Sequence, residues 1–152
     1  MKKIVFALLF LFIFAGATKA QLRKVPADVT NALKAKYPSA ENVEWKDKLT
    51  GFDAQFKDGD KNMTVTFNNK GEWQKTEKAL TFEETPAAVK DGLSKSKYAS
   101  PDEWKPGDVV TMITKSDKSV QYRVYVDKVG GIQKKYLFFN PSGRLEKEAL
   151  TL

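Results

Sequence analysis

The sequence states one pattern twice. Val25-Pro26-x-x-Val29-x-x-x-Leu33, followed by Tyr37, recurs sixty residues later as Thr85-Pro86-x-x-Val89-x-x-x-Leu93, followed by Tyr98. Phe67-Asn68-x-x-Gly71-x-Trp73-x-Lys75 recurs seventy-two residues later as Phe139-Asn140-x-x-Gly143-x-Leu145-x-Lys147. Duplication of a supersecondary unit narrows the admissible folds, because each copy must supply the same elements in the same order. The two offsets place about a dozen extra residues inside the second copy. The expected division is a first repeat over 21–82 and a second over 83–152, together one compact domain.

Each copy opens with a helix. Pro26 and Pro86 suit the first helical position, where the missing N–H would have no partner anyway. Val29, Leu33 and Tyr37 then mark one apolar stripe, and Pro38 ends it. Thr85 is the expected N-cap of the second helix, which Gly92 weakens slightly relative to Ala. Period-two segments follow. Val43 and Trp45 alternate with Glu44 and Lys46, Phe52, Ala54 and Phe56 alternate with Asp53, Gln55 and Lys57, and Met63, Val65 and Phe67 alternate with Thr64 and Thr66. Thr50-Gly51, Asp58-Gly59-Asp60 and Asn68-Asn69-Lys70-Gly71 break them as turns. A fourth strand is expected from Glu72 to about Leu80. In the second copy, strands are expected at about 108–115, 119–127, 131–139 and 143–150, after an irregular link around Trp104. The fold class is therefore α+β: a tandem repeat of helix plus four-stranded antiparallel meander, with the helices packed on one face of the sheet.

The N-terminus has a different character. Lys2 and Lys3 precede an uncharged stretch from Ile4 to Ala17, and Thr18-Lys19-Ala20 offers small residues for cleavage before Gln21. That order is that of a secretory signal over residues 1–20. The apolar run is shorter than the roughly 20 residues a spanning helix requires. The expectation is a periplasmic or secreted protein, cleaved near Ala20, with no membrane span in the mature chain.

From Gln21 onward, 23 basic residues face 19 acidic ones. This modest excess forms no basic run, and nucleic acid is not an expected partner. The chain has no His and no Cys. Ser-His-Asp and Cys-His catalysis are excluded, as are the commonest zinc ligands and disulfide bonds. Asp58-Gly59-Asp60-Lys61-Asn62 resembles the start of a calcium loop. The required Gly and Glu are replaced by Met63 and Asn69, so the segment reads as a hairpin turn. Glu83-Glu84 and the pair Glu146 and Glu148 are the closest carboxylates. The second pair is expected to share one solvent-facing side of a strand, without the pocket that acid–base catalysis needs. No catalytic residue, cofactor or metal is assigned.

The best binding candidate follows from pleat parity. Val120, Tyr122, Val124 and Val126 belong to the core, which sends Arg123 and Tyr125 to the other face. Leu137 and Phe139 belong to the core by analogy with Phe67, which leaves Lys134, Tyr136 and Phe138 on the open side. Arg123, Tyr125, Lys134, Tyr136 and Phe138 should thus form an aromatic and basic patch on the uncovered face, the composition of an interface centre. Burial of that face against the other repeat would leave the patch no binding role.

Val25-Pro26-x-x-Val29-x-x-x-Leu33-x-x-x-Tyr37-Pro38, Val43-Glu44-Trp45, Gly51-Phe52-x-Ala54-x-Phe56 and Val65-x-Phe67-x-x-x-Gly71-x-Trp73 together resemble the PepSY-like group. This group is also described as resembling beta-lactamase-inhibitor proteins: exported bacterial proteins, common in the Bacteroidetes, built from tandem helix-plus-four-strand units. The resemblance covers nearly all of the mature chain and is looser in the second copy, where Ala99 replaces Pro38. It implies the fold. Together with the open-face patch, the expected function is that of a non-enzymatic protein that binds or inhibits another envelope or secreted protein through the open sheet face. The alternative is a receptor for a small ligand or an acidic glycan, which requires a concave aromatic pocket.

Overall fold

Two short helices and eight strands run through residues 23–151, the part of the chain that this computed structural model describes. The expected signal segment, 1–20, lies outside the described residues. The order is α1 (Ala27–Lys36), β1 (Glu44–Lys48), β2 (Gly51–Asp58), β3 (Lys61–Asn68), β4 (Trp73–Thr81), α2 (Ala87–Ser94), β5 (Trp104–Lys115), β6 (Val120–Lys128), β7 (Lys134–Phe139) and β8 (Leu145–Leu150). All eight strands form one antiparallel sheet in sequence order, β1 through β8. β4 pairs directly with β5, so the sheet continues across the middle of the chain although α2 interrupts the sequence there.

Directly opposed residues of an antiparallel pair point to the same side. Met63 opposes Lys78, Lys78 opposes Met112, and Met112 opposes Tyr122. That row runs from the core of the first half to the core of the second, so both helices cover the same face of the sheet. Under α1, Val29 and Leu33 pack with Phe52, Ala54, Phe56, Met63, Val65 and Phe67. Under α2, Val89 and Leu93 pack with Tyr98, Trp104, Val110, Tyr122, Val124, Val126, Leu137 and Phe139. Each buried aliphatic side chain contributes about 1.5–3 kcal/mol. Without disulfides, these two cores carry the stability. Between them β4 presents Thr76, whose hydroxyl lies 2.8 Å from that of Tyr37 and accepts the Trp73 indole N–H at 3.0 Å.

Four expectations are corrected. Pro26 and Pro86 are N-caps, one residue outside the helices. Thr85 does not cap α2; its buried hydroxyl donates instead to the Thr81 carbonyl at 3.0 Å. Trp104 is not in an irregular link but begins β5, opposite Lys128, buried edge-on against Tyr98 at 4.9 Å between ring centroids. The irregularity falls inside the strand, between Pro106 and Val110, because proline has no N–H for the ladder. Finally, Glu146 and Glu148 do not share a face. A register shift between Phe138 and Phe139 makes Glu146 the extra residue of a bulge, so it meets Gln121 on one side while Glu148 meets Tyr98 on the other.

The helices sit close to the turns that end β3 and β7. Gly143, at φ +83, lies where a Cβ would come 1.9 Å from the Ala88 carbonyl oxygen of α2. Gly92 approaches the same turn from the helix side: a Cβ there would lie 1.9 Å from the Gly143 carbonyl oxygen. Gly92 is thus a packing requirement rather than a mere weakness of the helix. Helix propensity alone would make Gly92→Ala stabilising by about 1 kcal/mol. The packing predicts the opposite sign, a loss of about 1–3 kcal/mol in urea unfolding, from overfilling a tight contact.

Candidate functional site

The face opposite the helices carries the five residues that pleat parity selects. Arg123 opposes Phe138, Tyr125 opposes Tyr136, and Asp127 opposes Lys134. All five lie on adjacent strands on one side of the sheet, with Lys134 exposed and the other four half-buried. The first half lies beside the second in the same sheet and does not stack on this face. Tyr125 and Tyr136 meet edge-to-face at 5.9 Å between centroids. The Arg123 guanidinium lies 5.0 Å from the Tyr136 ring centroid, and the Lys147 ammonium 5.7 Å from that of Phe138.

Four further residues complete the site. Arg123 reaches across β5 and donates to the Glu77 carboxylate on β4 at 2.9 Å, and to the Thr111 hydroxyl on the way. Lys75 pairs with the other Glu77 oxygen at 2.5 Å. Ile113, opposite both Glu77 and Gln121, points to this same face and is only 5% exposed. A polar lid therefore covers an apolar centre, and the guanidinium is held by an acid, a hydroxyl and a ring at once. Ile113 had a signal in the sequence: adjacent Met112 and Ile113 cannot both face the helices. Glu77 had none, because its nearness to Arg123 depends on the β4–β5 register.

The helix side has its own charged cluster. The buried Tyr98 hydroxyl donates to Glu148, which also pairs with Lys97 at 3.0 Å and Lys135 at 3.2 Å. The Tyr98 hydrogen bond, then Lys97 and Lys135, outweigh partial burial and hold the Glu148 carboxyl at about 2. Asp58 and Lys61 close the β2–β3 hairpin around Gly59 and Asp60. The two cavities described lie on the first half. One, of about 600 Å³, is lined by Glu44, Phe56, Lys57 and Met63 among others; one of about 360 Å³ is lined by Lys48, Asp53, Phe67 and Lys75 among others. Neither is lined by the five patch residues.

These features match a known family. The model of a family described as "Putative beta-lactamase-inhibitor-like, PepSY-like" matches residues 50–147. A BLIP-like protein from Bacteroides fragilis is similar in structure, with a TM-score of 0.72 at 25% identity over 83% of this chain and 86% of that one. A DUF2874 family protein from Bacteroides ovatus gives 0.76 at 26% identity, over 82% and 86%. A protein described as "putative periplasmic" from Bacteroides eggerthii gives 0.74 at 24% identity, over 83% and 88%. No curated protein matches the sequence.

The Glu148 cluster makes a pH prediction. A carboxyl at about 2 when folded, against its ordinary 4.5, contributes stability that is complete above 4.5 and lost as the pH falls toward 2. Glu148→Gln should therefore lower the urea midpoint near neutrality, and its deficit should shrink steadily as acid is added. A deficit independent of pH between 6 and 2 would mean that the charge plays no part.

Proposed function

The chain belongs to the PepSY-like, beta-lactamase-inhibitor-like family, and we propose that it is an exported, non-enzymatic protein that binds another envelope or secreted protein on the sheet face opposite its helices. The observation that carries this reading is the fixed Arg123. Its guanidinium is oriented by Glu77 and Thr111 and laid against Tyr136, so little side-chain freedom remains to be lost on association. Arginine and tyrosine in a half-buried cluster are the residue types that dominate measured interface energies. Inhibition of the bound protein is one form this binding could take, and the fragilis relative's BLIP-like name supports it.

Export is supported by the order of charged, apolar and small residues over 1–20. The likeness to a protein described as periplasmic agrees with it. No described helix is long and apolar enough to cross a membrane. The reading as a non-enzyme rests on the family and on the lack of His and Cys, and it invokes no cofactor.

We read the halves as two copies of one unit, 21–82 and 83–152. Both place a register shift after the equivalent residue, Thr66 or Phe138. Both use an asparagine, Asn68 or Asn140, to accept backbone N–H groups in the turn that meets the helix.

A small-ligand or acidic-glycan reading has one observation in its favour, the 600 Å³ cavity beside β1, which holds Phe56 and Met63 but none of the tyrosines. The two readings use opposite ends of the sheet and separate cleanly. With the purified protein as bait in envelope extract, the wild type should retain a protein that the Arg123→Ala, Tyr125→Ala, Tyr136→Ala triple variant loses, while circular dichroism shows the variant folded. Equal retention by both forms would move the site away from this face.

A further inference from the structure

Resting on that reading, we infer that the surface docking on this face is an acidic stretch of polypeptide. The open side of β4–β8 carries more basic than acidic residues, and most of those bases have no ion pair. On the helix side, Lys61, Lys95, Lys97 and Lys135 each meet a carboxylate of Glu84, Asp91 or Glu148 within 3.2 Å, while Lys78 and Lys128 have no ion pair among the described residues. On the open side of β4–β8, the register places Lys75, Lys105, Lys115, Arg123, Lys134 and Lys147 with only Glu77, Asp127 and Glu146.

Two of those acids are already engaged. Glu77 is shared between Lys75 and Arg123. Glu146 accepts from Gln121, Asn140 and Arg144. Lys105, Lys115, Lys134 and Lys147 have no ion pair among the described residues; Asp127, opposite Lys105 and Lys134, and Asp117, near Lys115, offset them only in part. This excess of positive charge surrounds the Arg123–Tyr125–Tyr136 cluster on the side that no helix covers. Like charges gathered without partners repel one another, and an incoming acidic surface relieves that repulsion as it docks.

The ring geometry favours polypeptide over sugar. Tyr125 and Tyr136 stand at 63° to each other and give no flat platform on which a sugar ring could stack. The Arg123 guanidinium, by contrast, has the fork geometry for carboxylates. Glu77 occupies part of that fork as a built-in stand-in, so a partner carboxylate would compete with it or add to it.

The test is an NMR titration of the isotope-labelled protein at low salt with a short polyglutamate peptide, and in parallel with polygalacturonate of equal charge. Polyglutamate should shift amides of β6, β7 and β8 around Arg123, Tyr136 and Lys147. Lys134→Glu with Lys147→Glu should weaken it about tenfold, and salt should weaken it further. Tyr136→Ala, which leaves the net charge unchanged, should also weaken it; undiminished affinity there would reduce the effect to bulk charge and overturn the inference. Tighter binding of polygalacturonate would overturn it in favour of a glycan. Polyglutamate shifts spread over both faces, or none at all, would overturn it as well. If that failure came while the triple variant still lost its envelope partner, binding on this face would stand and only the acidic chemistry would fall.

Discussion

The pairing of β4 with β5 governs everything else in this molecule. Each half could satisfy its own core with one helix on a four-stranded sheet, and the two could then meet in many ways. Joining the sheets edge to edge removes that freedom, because side-chain direction in a ladder is fixed residue by residue. Met63, Lys78, Met112 and Tyr122 form one row across the junction, and the row puts both helices on one side. A slip of one residue between β4 and β5 would turn the second half over. Its core would then face away from the first, and the Arg123 cluster would lie beside α1. The two strand edges that such a pairing would otherwise leave exposed in the middle of the molecule are consumed.

The same junction assembles the open-face cluster. Glu77 belongs to the last strand of the first half and Arg123 to the second strand of the other, with Ile113 between them. Their ion pair is half-buried, so its net contribution to stability is small once desolvation is counted. Its effect is orientation: the guanidinium is fixed over Tyr136 and the apolar Ile113 is covered. A cluster built this way requires both halves, although its aromatic residues all come from the second.

Much of this was legible in the sequence because period-two alternation is strong where one face is buried. Val120 to Val126 and Met63 to Phe67 assign their faces without ambiguity, and the five patch residues fall on the face that parity gives them. Reading failed where the pattern is interrupted. The bulge at Glu146 changes which way that side chain points, and no composition signal marks it. Pro106 and Gly107 disguised the start of β5, so Trp104 read as link rather than core. Gly92 looked like a weak helix residue because its reason lies in a turn fifty residues away, at Gly143. Glu77 was invisible as a site residue because contacts between strands on either side of a third require the register itself.

The claim that the face opposite the helices is open can be tested directly, because the chain contains no cysteine of its own. Single cysteines placed at 136 and at 137 occupy successive residues of β7 but opposite sides of the sheet. In the purified native protein, the thiol of Tyr136→Cys should react with a maleimide nearly as fast as in urea, and that of Leu137→Cys should react far more slowly until the protein is unfolded. A protected thiol at 136, with a reactive one at 137, would mean that the sheet is covered on the other side and that the account given for its binding face is wrong.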